Sequence, residues 1–380
     1  MKKIIFISIG ILLVITVLAI WAYLFTFGTP QSRTDVFTNF GIGTSSNETV
    51  SRETSVVDVQ DVTPSGNIQN LKQLTTRPVA GAVFVADSIR YVEQGTGHVY
   101  QISTVNGSES LLSGTTFPGT REALFSKDGS FIALTLLDGT THKVIVGALP
   151  SDQNGSFVGK SLPVSAHDLS FSEATGTIRY LLAHEEGVAG YAYDVRQETS
   201  SRLFQIPLTD VRVLWGEPVY VYTTPTKTQS GYIYEALRNG LRSVSVGMTG
   251  LSAFIYKNSL VLTSLREGTV TTSLLASGAL SSFPLPLIPE KCISGSIYIY
   301  CAVPIEIFSG SYPDEWYKGS VSYTDVLWRV EESGRATALS NFKTETGREV
   351  DVSNIGIAPD ESALYFINKN DNALWMFDLQ

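Results

Sequence analysis

The chain offers few residues whose type and spacing could do chemistry, and they fall into four groups. Cys292 and Cys301 are the only cysteines; they flank a short turn in "CISGSIYIYC". An antiparallel pairing of that segment sets the two opposite each other across a hairpin, where paired side chains approach closely enough for a disulfide. Zinc is a poor fit, because His98, His142, His167 and His184 are scattered and form no ligand spacing with the cysteines. Carboxylates that could act in pairs on a glycosidic bond are Glu185 with Glu186, Asp314 with Glu315, and Asp325. Each sits in a turn or at a strand edge, and Asp325 is placed to tie down the loop entering "VLWRV". The fourth group is aromatic. "YPDEWYKGSVSY" (312–323) brings Tyr312, Trp316, Tyr317 and Tyr323 together with Asp314 and Lys318, a mixture that binding surfaces favour.

Other chemistry lacks its signature. "VEQGTGHVY" (92–100) has two close glycines but neither the lysine nor the strand–loop–helix setting of a phosphate loop, and it reads as a tight turn. No G-x-S-x-G nucleophile elbow occurs. The sequence implies no cofactor and no metal.

The elements that must position these residues are strands. From Leu71 onward, short runs of β-branched and aromatic residues recur between Gly, Asn, Asp, Ser and Pro. "SIRYVEQ", "FIALTLLD", "TIRYLLAHEE", "PVYVYTTP", "SLVLTSLRE", "SIYIYCAVP" and "ALYFINKND" read as second strands of a repeated unit. Their midpoints, Tyr91, Ala133, Tyr180, Tyr222, Leu262, Tyr300 and Tyr365, are 42, 47, 42, 40, 38 and 65 residues apart. A period near 40–45 residues with four strands per unit is that of a β-propeller blade. "SKDGS" (126–130), "SEATGT" (172–177) and "APDES" (358–362) fall between first and second strands, while "QGTGH" and "LDGTTH" fall between second and third.

Seven blades follow, the last one strand short. After "DVSNIGIA", "ALYFINKND" and "NALWMFDL" the sequence stops. A ring with an open edge invites mispairing, so "NLKQLTT" (70–76) is expected to supply the outer strand of the last blade. The 65-residue step then locates an insertion of about twenty residues, Val303 to about Tyr323, between second and third strands of blade 6. That loop either plugs the ring or presents its aromatic side chains to a partner. "TTPTKTQSGY" (223–232) is a smaller elaboration at the equivalent place.

Upstream, residues 4–27 are uncharged and apolar, preceded by Lys2 and Lys3. As a helix they would extend about 36 Å, enough for a hydrocarbon core of about 30 Å. The run exceeds a signal-peptide core and ends in Trp21, Tyr23, Phe25 and Phe27, which suit an interfacial belt. No cysteine follows it for a lipid anchor. Residues 1–27 are therefore expected to form a cytoplasmic tip and single-pass anchor, and 28–69, rich in Ser and Thr, a flexible stalk. Residues 70–380 form the propeller outside the cytoplasm. Without Lys2 and Lys3, 25 of the 27 basic residues remain against 36 acids, a formal charge of −11. That balance argues against nucleic acid as a partner.

The blade turns resemble those of WD-repeat and TolB-type propellers, in which (S/A)-P-D-G/E joins the first two strands. "APDES" matches well and "SKDGS" less well, while the Trp-Asp dipeptide of true WD repeats is absent. More closely, residues 71–380 resemble uncharacterised membrane-anchored propellers of small-genome bacteria. The residues that carry the likeness are "LKQLTTRPVAGAVF…IRYVEQGTGHVYQI", "KC…YCAVP", "YPDEWYKG" and "FINKNDNALWMFDL". The resemblance implies a fold and a topology but no activity. The expected role is a non-enzymatic binding or scaffolding module for a protein, peptide or glycan outside the cell. The alternative is a glycan-directed propeller hydrolase with central carboxylates.

Overall fold

The computed structural model describes residues 70–379, apart from 151–154, 174–175 and 246. Among them lie seven four-stranded antiparallel sheets, each built from one continuous stretch of the chain except the last. Blade 1 comprises Val79–Val85, Ser88–Glu93, Val99–Ser103 and Glu109–Ser113, and blade 2 Thr120–Phe125, Phe131–Asp138, Thr141–Ala148 and Val158–Ser161. Blade 3 runs through His167–Phe171, Thr177–His184, Gly187–Asp194 and Thr199–Ile206, and blade 4 through Val211–Leu214, Tyr220–Thr223, Ile233–Leu237 and Gly240–Ser243. Blade 5 is Ser252–Tyr256, Ser259–Arg266, Thr269–Ala276 and Ala279–Ser282. Blade 6 is Cys292–Ser294, Ile299–Pro304, Asp325–Val330 and Ala336–Asn341. Blade 7 takes Val352–Ile357, Ala363–Asn368 and Leu374–Asp378 from the C-terminus and Leu71–Gln73 from the start of the domain.

That closure follows the expectation from the truncated seventh repeat. Leu71 pairs with Phe377 and Gln73 with Trp375, so the last blade gains its outer strand and Leu374–Asp378 is not left as an open edge. All seven midpoint residues lie in second strands. These strands read as continuous apolar runs because each face packs on a different blade, and successive side chains point to opposite faces. In blade 6, Ile299, Cys301 and Val303 join Tyr256 and Val261 of blade 5. Tyr300 and Ala302 join Leu364, Phe366 and Trp375 of blade 7. Similar apolar layers fill the remaining gaps around the ring, including that between blades 7 and 1.

Some approaches leave no room for a side chain. A Cβ on Gly81 in blade 1 would lie 1.9 Å from the Ala123 carbonyl oxygen in blade 2, so the first strands of these blades come together only because that residue is glycine.

The elaborations have structure of their own. Ser230–Gly231 and Met248–Thr249 form a two-stranded ribbon beside blade 4, and Asp314–Tyr317 and Phe342–Thr346 are short helices. Among the described residues no helix is long and apolar enough to cross a membrane. The anchor and stalk expected over residues 1–69 lie outside the described residues.

Candidate functional site

Two regions carry the polar groups that could serve a function, and both lie where the connections between second and third strands gather. The first is the inserted loop, which begins after Pro304 and ends before Asp325. Its aromatic residues divide sharply. Tyr312, Trp316 and Tyr323 are buried and pack with Val270 and Ile288 in a cluster of their own, whereas Tyr317 is 37% exposed and Lys318 is exposed. The Tyr312 hydroxyl meets Ser252 Oγ of blade 5 at 2.7 Å, and Tyr323 hydroxyl meets Ser311 Oγ at 2.8 Å. A ligand at this surface would therefore meet Tyr317, Asp314 and Lys318 before the other three.

The carboxylates singled out in the sequence are mostly engaged in structure. Asp314 accepts the Lys227 backbone N–H at 2.7 Å, and Glu315 accepts from Lys227 Nζ, which holds its carboxyl below the usual range. The two loops elaborated in blades 4 and 6 are thus tied together. Glu185 and Glu186 occupy an exposed turn between the second and third strands of blade 3.

Asp325 is fully buried, and it does tie down a strand entry, but as part of a cluster that the sequence did not reveal. Lys291 Nζ, also fully buried, donates to Asp325 Oδ2 at 2.6 Å and to Asp351 Oδ1. Asp325 Oδ2 also accepts from Val352 N at 2.7 Å. Asp351 accepts from Trp316 Nε1, Ser322 Oγ (3.0 Å) and Tyr323 N (3.1 Å). Burial, with repulsion from Asp351, pushes the Asp325 carboxyl up to about 6, although Lys291 opposes the shift. The rings of Trp316 and Tyr323 each stand 5.4 Å from Lys291 Nζ. Lys369, whose own ammonium is disfavoured by burial, lies 4.1 Å from the Trp316 ring centre. Beside the cluster, Glu290 accepts from the Tyr317 hydroxyl. Burial raises the Glu290 carboxyl above its ordinary value and the Tyr317 hydroxyl well above its own.

The cysteine pair is where the spacing placed it. Cys292 and Cys301 are opposite each other in the first two strands of blade 6, with Cα atoms 4.1 Å apart and the sulfurs bonded.

The second region is a cavity of about 850 Å³ among the inner strands. Its walls come from blades 1 to 4 and blade 7, without a residue of the inserted loop. The loop packs against blades 5, 6 and 7 and leaves open the sector that the cavity occupies. Arg121 and Glu122 of blade 2, His167 and Asp168 of blade 3, and Arg212 of blade 4 line the cavity. His142, Asp210, Gln94, Asn354 and Asn372 add further polar groups. Asp168 is 2.8 Å from Arg212 Nε and accepts the Val213 backbone N–H at 3.0 Å, so it serves to orient the arginine. Of the four histidines, His142 and His167 reach the cavity. Among the described residues no group of three or more His, Cys, Asp or Glu could hold a metal ion.

Sequence reasoning missed the cavity residues because first strands contribute only one or two polar side chains each, too few to stand out locally. The ring alone brings them together.

Ring closure, blade count and strand order together define a seven-bladed β-propeller. No family model and no curated protein matches the chain. Solved structures do. The oligogalacturonate lyase of Vibrio parahaemolyticus is 8% identical, with a TM-score of 0.53 over 82% of this chain and 93% of that one. An uncharacterised protein of Listeria monocytogenes is 10% identical, with a TM-score of 0.49 over 84% of this chain and 98% of that one. The acylaminoacyl peptidase of Pyrococcus horikoshii is 10% identical, with a TM-score of 0.48 over 76% of this chain and 50% of that one. The chain thus spans half the length of the peptidase. At these identities the likeness is one of fold.

Proposed function

We propose that the protein is a membrane-anchored, extracytoplasmic binding module that takes a polar extended segment, peptide or glycan, into the open sector of its ring. The observation that carries this reading is the cavity of about 850 Å³ lined by side chains of both signs. Mixed charge with amide and imidazole groups suits a ligand rich in hydrogen-bonding groups. The acids that the sequence offered for hydrolysis are bound by Lys227, buried under the loop, or isolated on an exposed turn, which favours binding over cleavage. The anchor over residues 4–27 would hold the ring at the membrane, and the resemblance to membrane-anchored propellers of small-genome bacteria supports that placement.

The test is to screen the full chain in detergent against arrays of peptides and oligosaccharides, then repeat with Arg121→Ala and Arg212→Ala. Each substitution should weaken capture about tenfold, the loss of about 1.4 kcal/mol, without changing the melting temperature. Unchanged capture by both variants would place the ligand elsewhere. Glu122, Asp168 and Asp210 also face the cavity, so the alternative remains specific: cleavage of a captured oligosaccharide, abolished by Asp210→Asn, would make the protein a hydrolase.

A further inference from the structure

The Lys291–Asp325–Asp351 cluster has a composition and geometry that go beyond a structural ion pair. An amine and two carboxyl groups are held together, each fully buried. The walls are aromatic, with Trp316 and Tyr323 flanking the Lys291 nitrogen. Burying charges at such a site costs more than their attraction returns unless every lone pair is satisfied. It is not satisfied here. Asp325 Oδ1 is buried without a hydrogen-bond partner, whereas Asp351 accepts from Lys291, Trp316, Ser322 and Tyr323.

We infer that Lys291 and Asp325 are the partners of a self-forming isopeptide crosslink, with Asp351 as the group that moves the proton. The three residues divide the work by their surroundings. Lys291 Nζ, 2.6 Å from Asp325 Oδ2, stands within near-attack reach of the carbon one bond further on, about 3–3.5 Å. The neutral carboxyl is the form an amine can attack, and burial raises Asp325 to about 6, so that this form is accessible near neutrality. The Val352 N–H, 2.7 Å from Asp325 Oδ2, is a backbone donor aimed at the oxygen that gains charge during the attack.

The step balances without a co-reactant. Asp351 takes one proton from the Lys291 ammonium. The freed lone pair of Nζ attacks Cγ of the neutral Asp325 carboxyl. The Cγ–Oδ1 bond breaks, and Oδ1 leaves as water with its own proton and a second proton from the amine. The third amine proton stays on the amide nitrogen. Asp351 releases the proton it took to solvent. One C–N bond forms, one C–O bond breaks, and nothing is oxidised or reduced.

The bond would join the entry of the first strand of blade 6 to the start of its third strand, across the base of the inserted loop. Residue 292, next along the chain, already carries the disulfide to Cys301. Blade 6 would then hold two covalent links where the sequence inserts its longest loop.

Mass spectrometry of the full chain, purified in detergent, reduced and denatured, tests this. The expected wild-type mass is one water below that of the sequence, and a digest should yield a branched peptide joining Lys291 to Asp325. Lys291→Met should restore the sequence mass, and Asp351→Asn should leave most chains unlinked. Wild-type protein at full sequence mass would overturn the inference. So would a water lost within one linear peptide, as from a cyclised aspartate, or a branch that joins Lys291 to Asp351. The wild-type reading stands even if neither variant folds.

Discussion

At the scale of single residues, burial rather than residue type decides which groups are chemically unusual. Glu290 illustrates this. Its Oε1 accepts from Tyr317, while its buried Oε2 has no hydrogen-bond partner. Burial is the main cause of its raised carboxyl value. A raised folded value means that the native state binds the proton more tightly than the unfolded chain, so this group's contribution is full below the unfolded value. It is lost as pH rises through the folded one. The protein should therefore lose stability on that account as pH climbs from the ordinary glutamate value, 4.5. Glu290→Gln should flatten this part of the dependence. Urea unfolding across about pH 4 to 7 reads it; an unchanged slope in the variant would assign the dependence to another group. None of this was legible in "LIPEKC", where a Glu and a Lys beside a proline look like an ordinary solvated turn. Asp325 stood out because it precedes a strand. Its partners Lys291 and Asp351 are 34 and 26 residues away in sequence, and only the packing of blade 6 on blade 7 unites them.

At the scale of elements, strand order was legible in detail and loop conformation was not. Strands announce themselves because a buried, two-faced strand must be apolar at every position, as in "IYCAVP" and "ALYFIN". The insertion was located by arithmetic, and its ends at Pro304 and Asp325 fall close to the expected ones. What arithmetic could not show is which aromatic side chains turn inward. Tyr312 lies two residues before the four-residue helix Asp314–Tyr317 and Trp316 within it, and both are buried in one cluster, while Tyr317 between Trp316 and Lys318 is left partly exposed. The loop is therefore held by its own aromatic cluster and by Lys227, not merely draped over the ring. Trp316→Ala should cost about 3–5 kcal/mol, since it empties a buried site and removes a donor from Asp351. Chemical denaturation measures this directly. A loss below about 0.5 kcal/mol, the level of a surface change, would show that Trp316 supports a partner's contact instead of the fold.

At the scale of the whole molecule, closure and placement are linked. The strand Leu71–Gln73 that completes blade 7 is also the first part of the chain after the segment expected to be stalk. The proposed placement outside the cytoplasm rests on the bonded cysteine pair, which suits an oxidising environment, and on the two lysines before the apolar run. This placement makes a definite prediction for a chain tagged at both ends in a bacterial host. Protease added to intact cells should cut the Ser/Thr-rich segment 28–69, expected from its composition to be a stalk, and remove the C-terminal tag. The N-terminal tag should survive until the cells are lysed. Protection of both tags in intact cells would put the ring in the cytoplasm, and loss of the N-terminal tag alone would reverse the orientation assigned to residues 4–27.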